Sequence, residues 1–571
     1  MRMKPVSGIH IKGETGKLLK NIIEHWLIGI RESNPAILAM FRDRDVKPYR
    51  DLLPWSGEFA GKYLTGAYYT YCLTGDKKLY DYAQDFIGEL ISYIGTDGYI
   101  GCFPEGARMS AQPAPEKAGS TWDAWNHYHV IYGLTLWHGE TGRADIREAV
   151  RRIAEFFLRT FYSSENAGNR LANMGCLEMN LAPLHIFAVL YQETRDKRYL
   201  DFCEEILTDL ESPEAGAYIS HTLGGGEYFQ CRKPRWESMH IIMGLAELSD
   251  CANDPVYLDV ALKIFHSILR TDVHNTGGFS TDEQAAGNPF GDGAVEFCCV
   301  IAFNALANIL FLKTGDPMIA DFLEISHFNA VLGSFSPSGK WSAYNTPMNG
   351  SRKANYHDIV FQSRPGSPDL NCCSANSARG PSQIAQWAVT FCENAVFINF
   401  YEAFDLKTPE GVRLRVKSDY PASPNVRIYA ENLCGHKLFV RIPAWSPNTK
   451  LTVRGREFLP AAGRYCEIEA ADGEEIRLVM DFTPRYLTGE SNYAGKSSLF
   501  IGPVLYAWDN ARNTSYDFTS LPPVDKNAVG KSRAERQFDG SIVISAGGVR
   551  LVDFYHAGHG GSEYKTWLEV K

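Results

Sequence analysis

One local pattern recurs through the first two thirds of the chain and limits what the chain can fold into. An apolar run with helical spacing leads into a short turn containing Gly, Asn or Asp, and a second amphipathic run follows. The pattern is found in YCLTGDKKLYDYAQDFIGEL, WHGETGRADIREAVRRIAEFFL, YQETRDKRYLDFCEEIL, LSDCANDPVYLDVALKIF and FLKTGDPMIADFLEI. Each copy predicts a helical hairpin that cannot bury its apolar face alone. These copies, with a weaker one expected at one end, favour a closed (α/α)6 barrel over an open solenoid, because solenoid repeats are shorter and more regular.

The spacing changes from helical to alternating near residue 395. Strand-like runs such as VFINFYEAF, VRLRVKSDY, NVRIYAENL and KLFVRIPAW are separated by Gly, Pro, Asn and Asp turns. Such runs predict one or two β-sandwiches. We therefore expect an (α/α)6-barrel domain over residues 1–392 and a β-sandwich region over residues 393–571.

Composition and charge argue against several classes of partner. The 571 residues carry a formal net charge of −10 and contain no Lys/Arg-rich run, so nucleic acid is not expected as a partner. No stretch approaches 18 consecutive apolar residues, so no membrane span is expected. The first residues lack the apolar segment of a secretion signal, and the 13 scattered cysteines favour a reducing compartment. We therefore expect a cytoplasmic protein, and leave open whether a leader has been removed.

Two segments carry residues that could bind one metal ion. GDGAVEFCCV contains Glu296 followed by Cys298 and Cys299, and DLNCCSANSARG places Cys372 and Cys373 in an expected polar loop. Thiolates with a carboxylate suit tetrahedral zinc, although neither segment has zinc-finger spacing, so buried inert thiols are the alternative. On a helix Glu296 shares a face with Cys299. Cys298 becomes the ligand instead if Glu296 lies in a non-helical entry to that helix.

Several blocks follow one another in a specific order. TGGFSTDE comes first, followed by E-x-C, a TGD hairpin that ends in HFNAVLGSFSPSGKWSAYNTP, and the Cys-Cys segment. This order resembles the bacterial β-L-arabinofuranosidases of glycoside hydrolase family 127 and the related family 146. The resemblance runs from PWSGEFAGKYL to the Cys-Cys segment and, more loosely, to RIPAW and GPVLYAW. It implies an (α/α)6 barrel with β-sandwich domains and an exo-acting, retaining glycoside hydrolase that releases L-arabinofuranose or a related plant sugar.

The resemblance also implies roles for single residues. The family holds a zinc ion with one Glu and three Cys, which correspond here to Glu296, Cys298, Cys372 and Cys373. Cys372 matches the nucleophile, and Glu283 in TGGFSTDEQ matches the acid/base. Coordination by zinc removes a thiol proton near neutral pH, and the resulting thiolate can attack a sugar carbon.

Further residues match positions where the family contacts its substrate. They are His129, Glu178, His240 and Tyr344, with Trp55 and Glu58 as additional candidates. A hydrogen-bonded residue of the barrel interior is the alternative interpretation for the first four, and Trp55 could simply cap the barrel. Cys176 stands where the family often has His, so the exact sugar stays open.

Two other functions stay open at this point. Other (α/α)6 barrels, including unsaturated uronyl hydrolases, use carboxylates, and Glu58, Asp123 or Glu178 would then carry the chemistry. The second alternative is a carbohydrate-binding protein with a structural zinc, because closed sites with four protein ligands are usually structural. A glycan is the expected partner under each of these interpretations, and a homodimer formed through the β region stays open.

Overall fold

Five helical hairpins build most of a ring in the computed structural model, which describes residues 2–50, 52–110, 121–164, 168–352, 370–433 and 435–571. The α-helices are α1 Glu14–Ile22, α2 Ile30–Ser33, α3 Ala36–Arg42, α4 Glu58–Thr74, α5 Lys77–Ser92, α6 Asp123–Thr141, α7 Ala144–Thr160, α8 Leu177–Asn180, α9 Pro183–Thr194, α10 Lys197–Leu210, α11 Tyr218–Leu223, α12 Met239–Cys251, α13 Pro255–Thr271, α14 Phe297–Thr314, α15 Pro317–Ser326, α16 Cys372–Asn376, α17 Arg379–Ser382 and α18 Lys526–Lys531. The hairpins are α4/α5, α6/α7, α9/α10, α12/α13 and α14/α15, and they coincide with the five copies of the sequence pattern.

The recurring turns are the points where one helix ends and the next begins. At Gly75, Gly142 and Gly315 the backbone adopts the left-handed conformation, with φ of 61°, 63° and 67°, which terminates the inner helix. Asp76 and Asp316 then accept backbone N–H bonds at the start of the outer helix. Because each turn caps two helices within a few residues, the two helices of a hairpin lie antiparallel.

The ring closes through segments that the repeat pattern does not contain. The inner helices α4, α6, α9, α12 and α14 pack against one another in that order, and the short helices α16 and α17 contact both α14 and α4. Helix α1 packs on α4 and α17 from outside. The sixth hairpin is therefore assembled from two distant parts of the chain, which explains its weak sequence signal. The predicted (α/α)6 barrel is confirmed.

Three sheets hold most of the strands. The strands are β1 Lys4–Pro5, β2 Ile9–Ile11, β3 Ala294–Glu296, β4 Asn345–Pro347, β5 Asn349–Gly350, β6 Val389–Cys392, β7 Ala395–Ile398, β8 Phe404–Lys407, β9 Arg413–Ser418, β10 Asn425–Glu431, β11 Lys437–Ile442, β12 Lys450–Val453, β13 Arg456–Phe458, β14 Arg464–Ile468, β15 Glu475–Val479, β16 Arg485–Thr488, β17 Ser497–Ile501, β18 Val504–Asp509, β19 Glu535–Arg536, β20 Ile542–Ala546, β21 Val549–Asp553 and β22 Tyr564–Lys565. The sheet orders are β1-β6-β7-β11-β14, β13-β12-β15-β10-β9-β8-β2 and β16-β17-β18-β21-β20-β19, and β3 pairs with β4 apart from them. The C-terminal β region that follows the barrel is confirmed.

The alternation that predicts strands is visible in their burial. Leu414 and Val416 of β9 are buried, whereas Arg413 and Arg415 between them are exposed. The first residues of the chain also belong to the sheets, because β1 pairs with β6 and β2 pairs with β8. Strands β6 and β7 form a hairpin across the predicted division at residues 392 and 393, and that division stays a prediction.

Helix α14 is apolar on all sides. Among the described helices it alone is long and apolar enough to cross a membrane by length and composition, and 78% of it is buried inside the protein. An inner helix of a barrel is surrounded by other elements, so burial accounts for this composition. Its N-terminus carries part of the candidate site.

Candidate active site

Two chain segments bring four metal-binding side chains together at the closure of the ring. Glu296 is the last residue of β3 and keeps an extended conformation, with φ −68° and ψ 137°, just before α14 begins. Glu296 thus precedes the helix in a non-helical conformation, which is the condition that allows Cys298, in the first helical turn, to lie beside it. Cys372 and Cys373 begin α16, which is capped by the side chain of Asn371. The prediction of a polar loop at Cys372 and Cys373 is therefore wrong, because the Asn371 cap starts a short buried helix there.

The four side chains form a compact group, here called the Cys/Glu cluster: Glu296, Cys298, Cys372 and Cys373. Their ligand atoms all lie within 4.8 Å of one another. The Sγ of Cys373 is 3.5 Å from the Sγ of Cys298 and 3.5 Å from Oε1 of Glu296. All four residues are buried. Three sulfur atoms and one carboxylate oxygen at these distances could hold a metal ion.

Cys299 lies beside this group but outside it. Its Sγ is 4.0 Å from Oε2 of Glu296, whereas Cys373 and Cys372 contact Oε1 of the same carboxylate. Burial raises the pKa of the Cys299 thiol well above its ordinary value. Of the two candidates left open by the sequence, the geometry places Cys298 with the other three ligands.

Burial and mutual contact shift the pKa values of all four members of the Cys/Glu cluster. Burial raises the pKa of Glu296 and of Cys373 well above their ordinary values, and the hydrogen bond with Cys298 raises the pKa of Cys372 to about 12. Burial also opposes ionisation of Cys298, but hydrogen bonds from the two neighbouring thiols and the charge of Lys62 lower its pKa to about 6. A metal cation would supply the positive charge that ionises the remaining members.

A buried lysine from α4 lies next to the cluster. The Nζ of Lys62 is 3.9 Å from Sγ of Cys298 and 2.8 Å from Oε1 of Glu58. Neither Lys62 nor Glu58 is exposed by more than 2% of its side chain. Burial raises the pKa of Glu58 to about 7, although the positive charge of Lys62 acts to lower it. Lys62 was not predicted from the sequence, although its i,i+4 spacing from Glu58 was a usable signal.

A cavity of about 390 Å³ opens above the cluster. Its lining residues are Trp55, Glu58, Trp122, Cys176, Glu178, Met179, Arg235, Trp236, Glu237, Glu283, Glu296, Tyr344 and Cys372. Cys372 and Glu296 are thus the members of the cluster that reach the cavity. The hydroxyl of Tyr344 lies 3.1 Å from Sγ of Cys372, and burial raises the pKa of Tyr344, so the hydroxyl keeps its proton.

Glu283 lies in another part of the cavity lining. Its side chain is 41% exposed, and an Nη2 of Arg235 contacts its carboxylate at 2.7 Å. Arg235 also binds Glu237, which is buried and whose pKa burial raises to about 7. Neither Arg235 nor Glu237 was predicted from the sequence. Their only sequence signal was a charged RWES segment directly before the apolar helix that carries His240.

Three residues named from the sequence lie behind the lining of the cavity. His240 shares a hydrogen bond with the hydroxyl of Tyr128 at 2.8 Å, and His129 Nε2 is 3.9 Å from Oε2 of Glu58. Burial lowers the pKa of both histidines, so both are neutral. Asp123 is fully buried and accepts a hydrogen bond from the hydroxyl of Tyr99 at 2.8 Å. Contact of His129 and His240 with a substrate stays a prediction.

Comparison with known families agrees with this arrangement. The model of the β-L-arabinofuranosidase GH127 catalytic domain matches residues 36–386, and the model of the GH127 middle domain matches residues 395–482. The first match alone spans more than half of the 571 residues. The chain belongs to glycoside hydrolase family 127. It is therefore a glycoside hydrolase, as the order of the sequence blocks predicts.

Solved structures show the same fold at low identity. A GH127 β-arabinofuranosidase is 18% identical with a TM-score of 0.79, over 100% of this chain and 98% of that chain. The GH127 β-L-arabinofuranosidase from Geobacillus stearothermophilus T6 is 17% identical with a TM-score of 0.78, over 99% of this chain and 100% of that one. No curated protein sequence matches this family 127 chain. The fold is thus retained while most side chains differ.

The cavity of this family 127 hydrolase offers polar and aromatic groups suited to a sugar. Glu178 is 5% exposed; Lys233 contacts its Oε1 at 3.2 Å, and its Oε2 has no hydrogen-bond partner among the described residues. A buried carboxylate oxygen of this kind can accept a bond from a ligand hydroxyl. The rings of Trp55 and Trp122 lie 5.0 Å apart, both partly exposed, and aromatic faces stack on the apolar faces of sugar rings.

Proposed function

We propose that this protein is an exo-acting, retaining glycosidase that releases L-arabinofuranose, or a closely related sugar, from β-linked plant glycans. The observation that supports this proposal most directly is that Cys372 of the Cys/Glu cluster and Glu283 line the same cavity. A thiol held among metal-binding groups and a carboxylate in contact with solvent are the two kinds of group that a two-step displacement requires.

The metal that we propose is zinc, held by Glu296, Cys298, Cys372 and Cys373. Tetrahedral zinc with Zn–S of about 2.3 Å and Zn–O of about 2.1 Å separates its ligands by about 3.6 to 3.8 Å. The corresponding separations are 3.5 Å and 4.0 Å between sulfur atoms and 3.5 Å and 3.9 Å between sulfur and Oε1. When bound, zinc would keep the cysteine side chains as thiolates at neutral pH.

The residues then divide the reaction between them. Sγ of Cys372 attacks the anomeric carbon, the bond to the leaving oxygen breaks, and Glu283 donates its proton to that oxygen. Glu283 next removes a proton from water, the water oxygen attacks the same carbon, and the carbon–sulfur bond breaks to return the thiolate. Two inversions retain the anomeric configuration. The Tyr344 hydroxyl can donate to Sγ and hold it towards the sugar.

A specific observation favours a second candidate function for the metal. The Cys/Glu cluster offers four protein donors, the number typical of closed structural zinc sites. In that case the ion only ties α14 to α16, and carboxylates such as Glu178 and Glu283 perform the hydrolysis. This alternative predicts that loss of the Cys372 thiol weakens metal binding but spares the chemistry on each folded molecule.

Sugar release from a panel of synthetic glycosides, with zinc measured on the same samples, tests the proposal. We expect the wild-type protein to cleave a β-L-arabinofuranoside and to carry about one zinc per chain, and Cys372→Ser to lose turnover while it stays folded at the assay temperature. Cys466→Ser is the matched control, because that thiol lies in β14 of the sheet region. Near-normal turnover by folded Cys372→Ser would reject the nucleophile. Cleavage of another glycoside alone would reject the sugar.

A further inference from the structure

Arg235 joins two carboxylates of very different exposure. Its Nη2 lies 2.7 Å from Oε2 of Glu283 and 3.0 Å from Oε1 of Glu237, and its Nε lies 3.1 Å from Oε2 of Glu237. The side chain of Glu237 is 2% exposed, that of Arg235 28% and that of Glu283 41%. A buried carboxylate therefore anchors the guanidinium, which in turn reaches the more exposed Glu283.

The backbone around Glu283 is held by the same segment. The N–H of Trp236 donates to the carbonyl of Glu283 at 3.0 Å, and the N–H of Ala285 donates to the carbonyl of Pro234 at 2.8 Å. Glu283 itself has φ of +58°, a conformation that non-glycine residues adopt rarely and that persists where surrounding contacts enforce it. Both the backbone and the side chain of Glu283 are thus fixed by residues 234–237.

The two carboxylates differ in which oxygens are engaged. Both oxygens of Glu237 are bonded to Arg235, which is the strong bidentate geometry for a guanidinium and a carboxylate. Arg235 engages only Oε2 of Glu283, and within the described part of the chain no hydrogen bond engages Oε1. Oε1 is therefore the oxygen of this pair that is available to exchange a proton with a ligand.

We propose that Arg235, anchored by Glu237, is a positioning residue that fixes Glu283 and sets its charge balance for both steps of hydrolysis. This inference rests on the proposed role of Glu283 as acid/base. Arg235 and Glu237 are groups of opposite charge type beside Glu283, so removing one or the other changes the electrostatic environment of Glu283 in opposite senses. Neither Arg235 nor Glu237 exchanges a proton with the substrate in this scheme.

Other charged or titratable groups around this arrangement come from the remaining elements of the cavity. They are Glu58 and Lys62 on α4, Glu178 on α8 with Lys233, Glu296 and Cys298 at the start of α14, Tyr344, and Cys372 on α16. All of them stay unchanged in variants of residues 235 and 237, so a difference between those variants reports on Arg235 and Glu237.

Kinetics of two opposed variants test the proposal on two probes, 4-nitrophenyl and methyl β-L-arabinofuranoside. In Arg235→Met we expect kcat/KM for the methyl glycoside, whose leaving group needs a proton, to fall about 10- to 100-fold, and kcat/KM for the 4-nitrophenyl glycoside to fall much less. This ratio reports the first step, whereas the second step is the same for both probes. In the pH profile of kcat/KM, the fall on the alkaline side (the basic limb) should move to higher pH in Arg235→Met and to lower pH in Glu237→Gln. The two variants remove opposite charges. In Arg235→Lys, which keeps the positive charge, the pH of the basic limb should return closer to its wild-type value than kcat does.

The matched control is Arg270→Met, which breaks an arginine–glutamate pair with Glu227 outside the cavity. It should leave kcat, KM and the pH profile unchanged. Limbs that move in the same direction in Arg235→Met and Glu237→Gln, or folded variants with wild-type kinetics on both probes, would overturn the positioning role. Glu283→Gln keeps this result separate from the proposed function. Equal losses of kcat/KM on the two probes in Glu283→Gln would reject Glu283 as acid/base, whatever the result for Arg235.

Discussion

Two buried groups of titratable side chains in this protein differ in how fully their hydrogen-bonding capacity is satisfied. Where the barrel meets the sheets, Arg441 is fully buried and contacts Asp321 and, at 2.9 Å, Glu324. Glu324 also accepts bonds from Tyr420 and Trp445 at 2.7 Å and 3.1 Å. At the candidate active site, the Cys/Glu cluster has thiol contacts of 3.5 to 4.0 Å, and Glu178 keeps an unpartnered oxygen.

The difference separates a structural role from a functional one. Around Arg441, each carboxylate accepts hydrogen bonds from several donors, so the ion pairs tie α15 to the sheets. At the candidate active site, Oε2 of Glu178 has no hydrogen-bond partner among the described residues, and Glu178 lines the same cavity as Cys372. Burial of charge alone does not mark a functional site, whereas unmet bonding capacity beside a cavity does.

The largest expected effect comes from a substitution at the candidate active site. Cys372→Ser should lower kcat about 10⁴-fold or more, because the proposed nucleophile of a two-step displacement is lost, while the free energy of unfolding falls only by the smaller amount that loss of one of four proposed metal ligands causes. Stopped assays of sugar release and chemical denaturation measure the two quantities. A loss of stability that matches the loss of activity would contradict the assignment.

Arg441→Met should have the opposite profile. It leaves Asp321 and Glu324 buried without their cation, so we expect the free energy of unfolding to fall by about 3–5 kcal/mol. Metal content and kcat per folded molecule should stay near wild type, since no residue of the cavity contacts Arg441. Arg415→Met, which breaks the exposed pair with Asp405, is the control and should cost less than about 1 kcal/mol.

The adjacent cysteines at the start of α14 sharpen the comparison at the level of one residue. Cys298→Ala should weaken zinc binding by about 100-fold or more in competition with a chromophoric chelator, because it removes a ligand. Cys299→Ala should change zinc affinity by only a few-fold, because Cys299 lies outside the cluster. Equal losses in the two variants would show that the metal does not distinguish them.

The smallest effect concerns Glu402, a partly satisfied carboxyl away from both groups. Burial raises its pKa to about 7 from an ordinary 4.5, and one of its oxygens has no partner among the described residues. The folded protein holds the Glu402 proton more tightly than the unfolded chain does. The stability that this difference contributes is fully present below about pH 4.5 and is lost as the pH rises through 7. Glu402→Gln cannot ionise, so its stability relative to wild type should rise by about 2 kcal/mol between pH 5 and pH 8. Thermal unfolding at the two pH values measures this difference, and a constant offset would contradict it.

Much of the fold is encoded in short-range patterns. The five hairpins follow from apolar spacing together with turns such as Gly75–Asp76, and the sheets follow from alternation such as that in β9. Capping and alternation act between residues a few positions apart, so a single sequence displays them. The order of the Glu and Cys blocks likewise pointed to the family and, through that resemblance, to Glu296, Cys372 and Cys373, with the choice between Cys298 and Cys299 left open.

What only the tertiary structure decided depends on contacts between distant parts of the chain. Cys298 and Cys373 meet across 75 residues, and Glu283 meets Arg235 across 48. No local pattern chooses Cys298 over Cys299, shows the short helix at Cys372, or joins α1 to α16 and α17 as the sixth hairpin. The sequence therefore determined which elements form and which residue types are available for chemistry. The packing of the closed ring decided which of them lie within bonding distance, because that distance is set by the whole ring and not by any one segment.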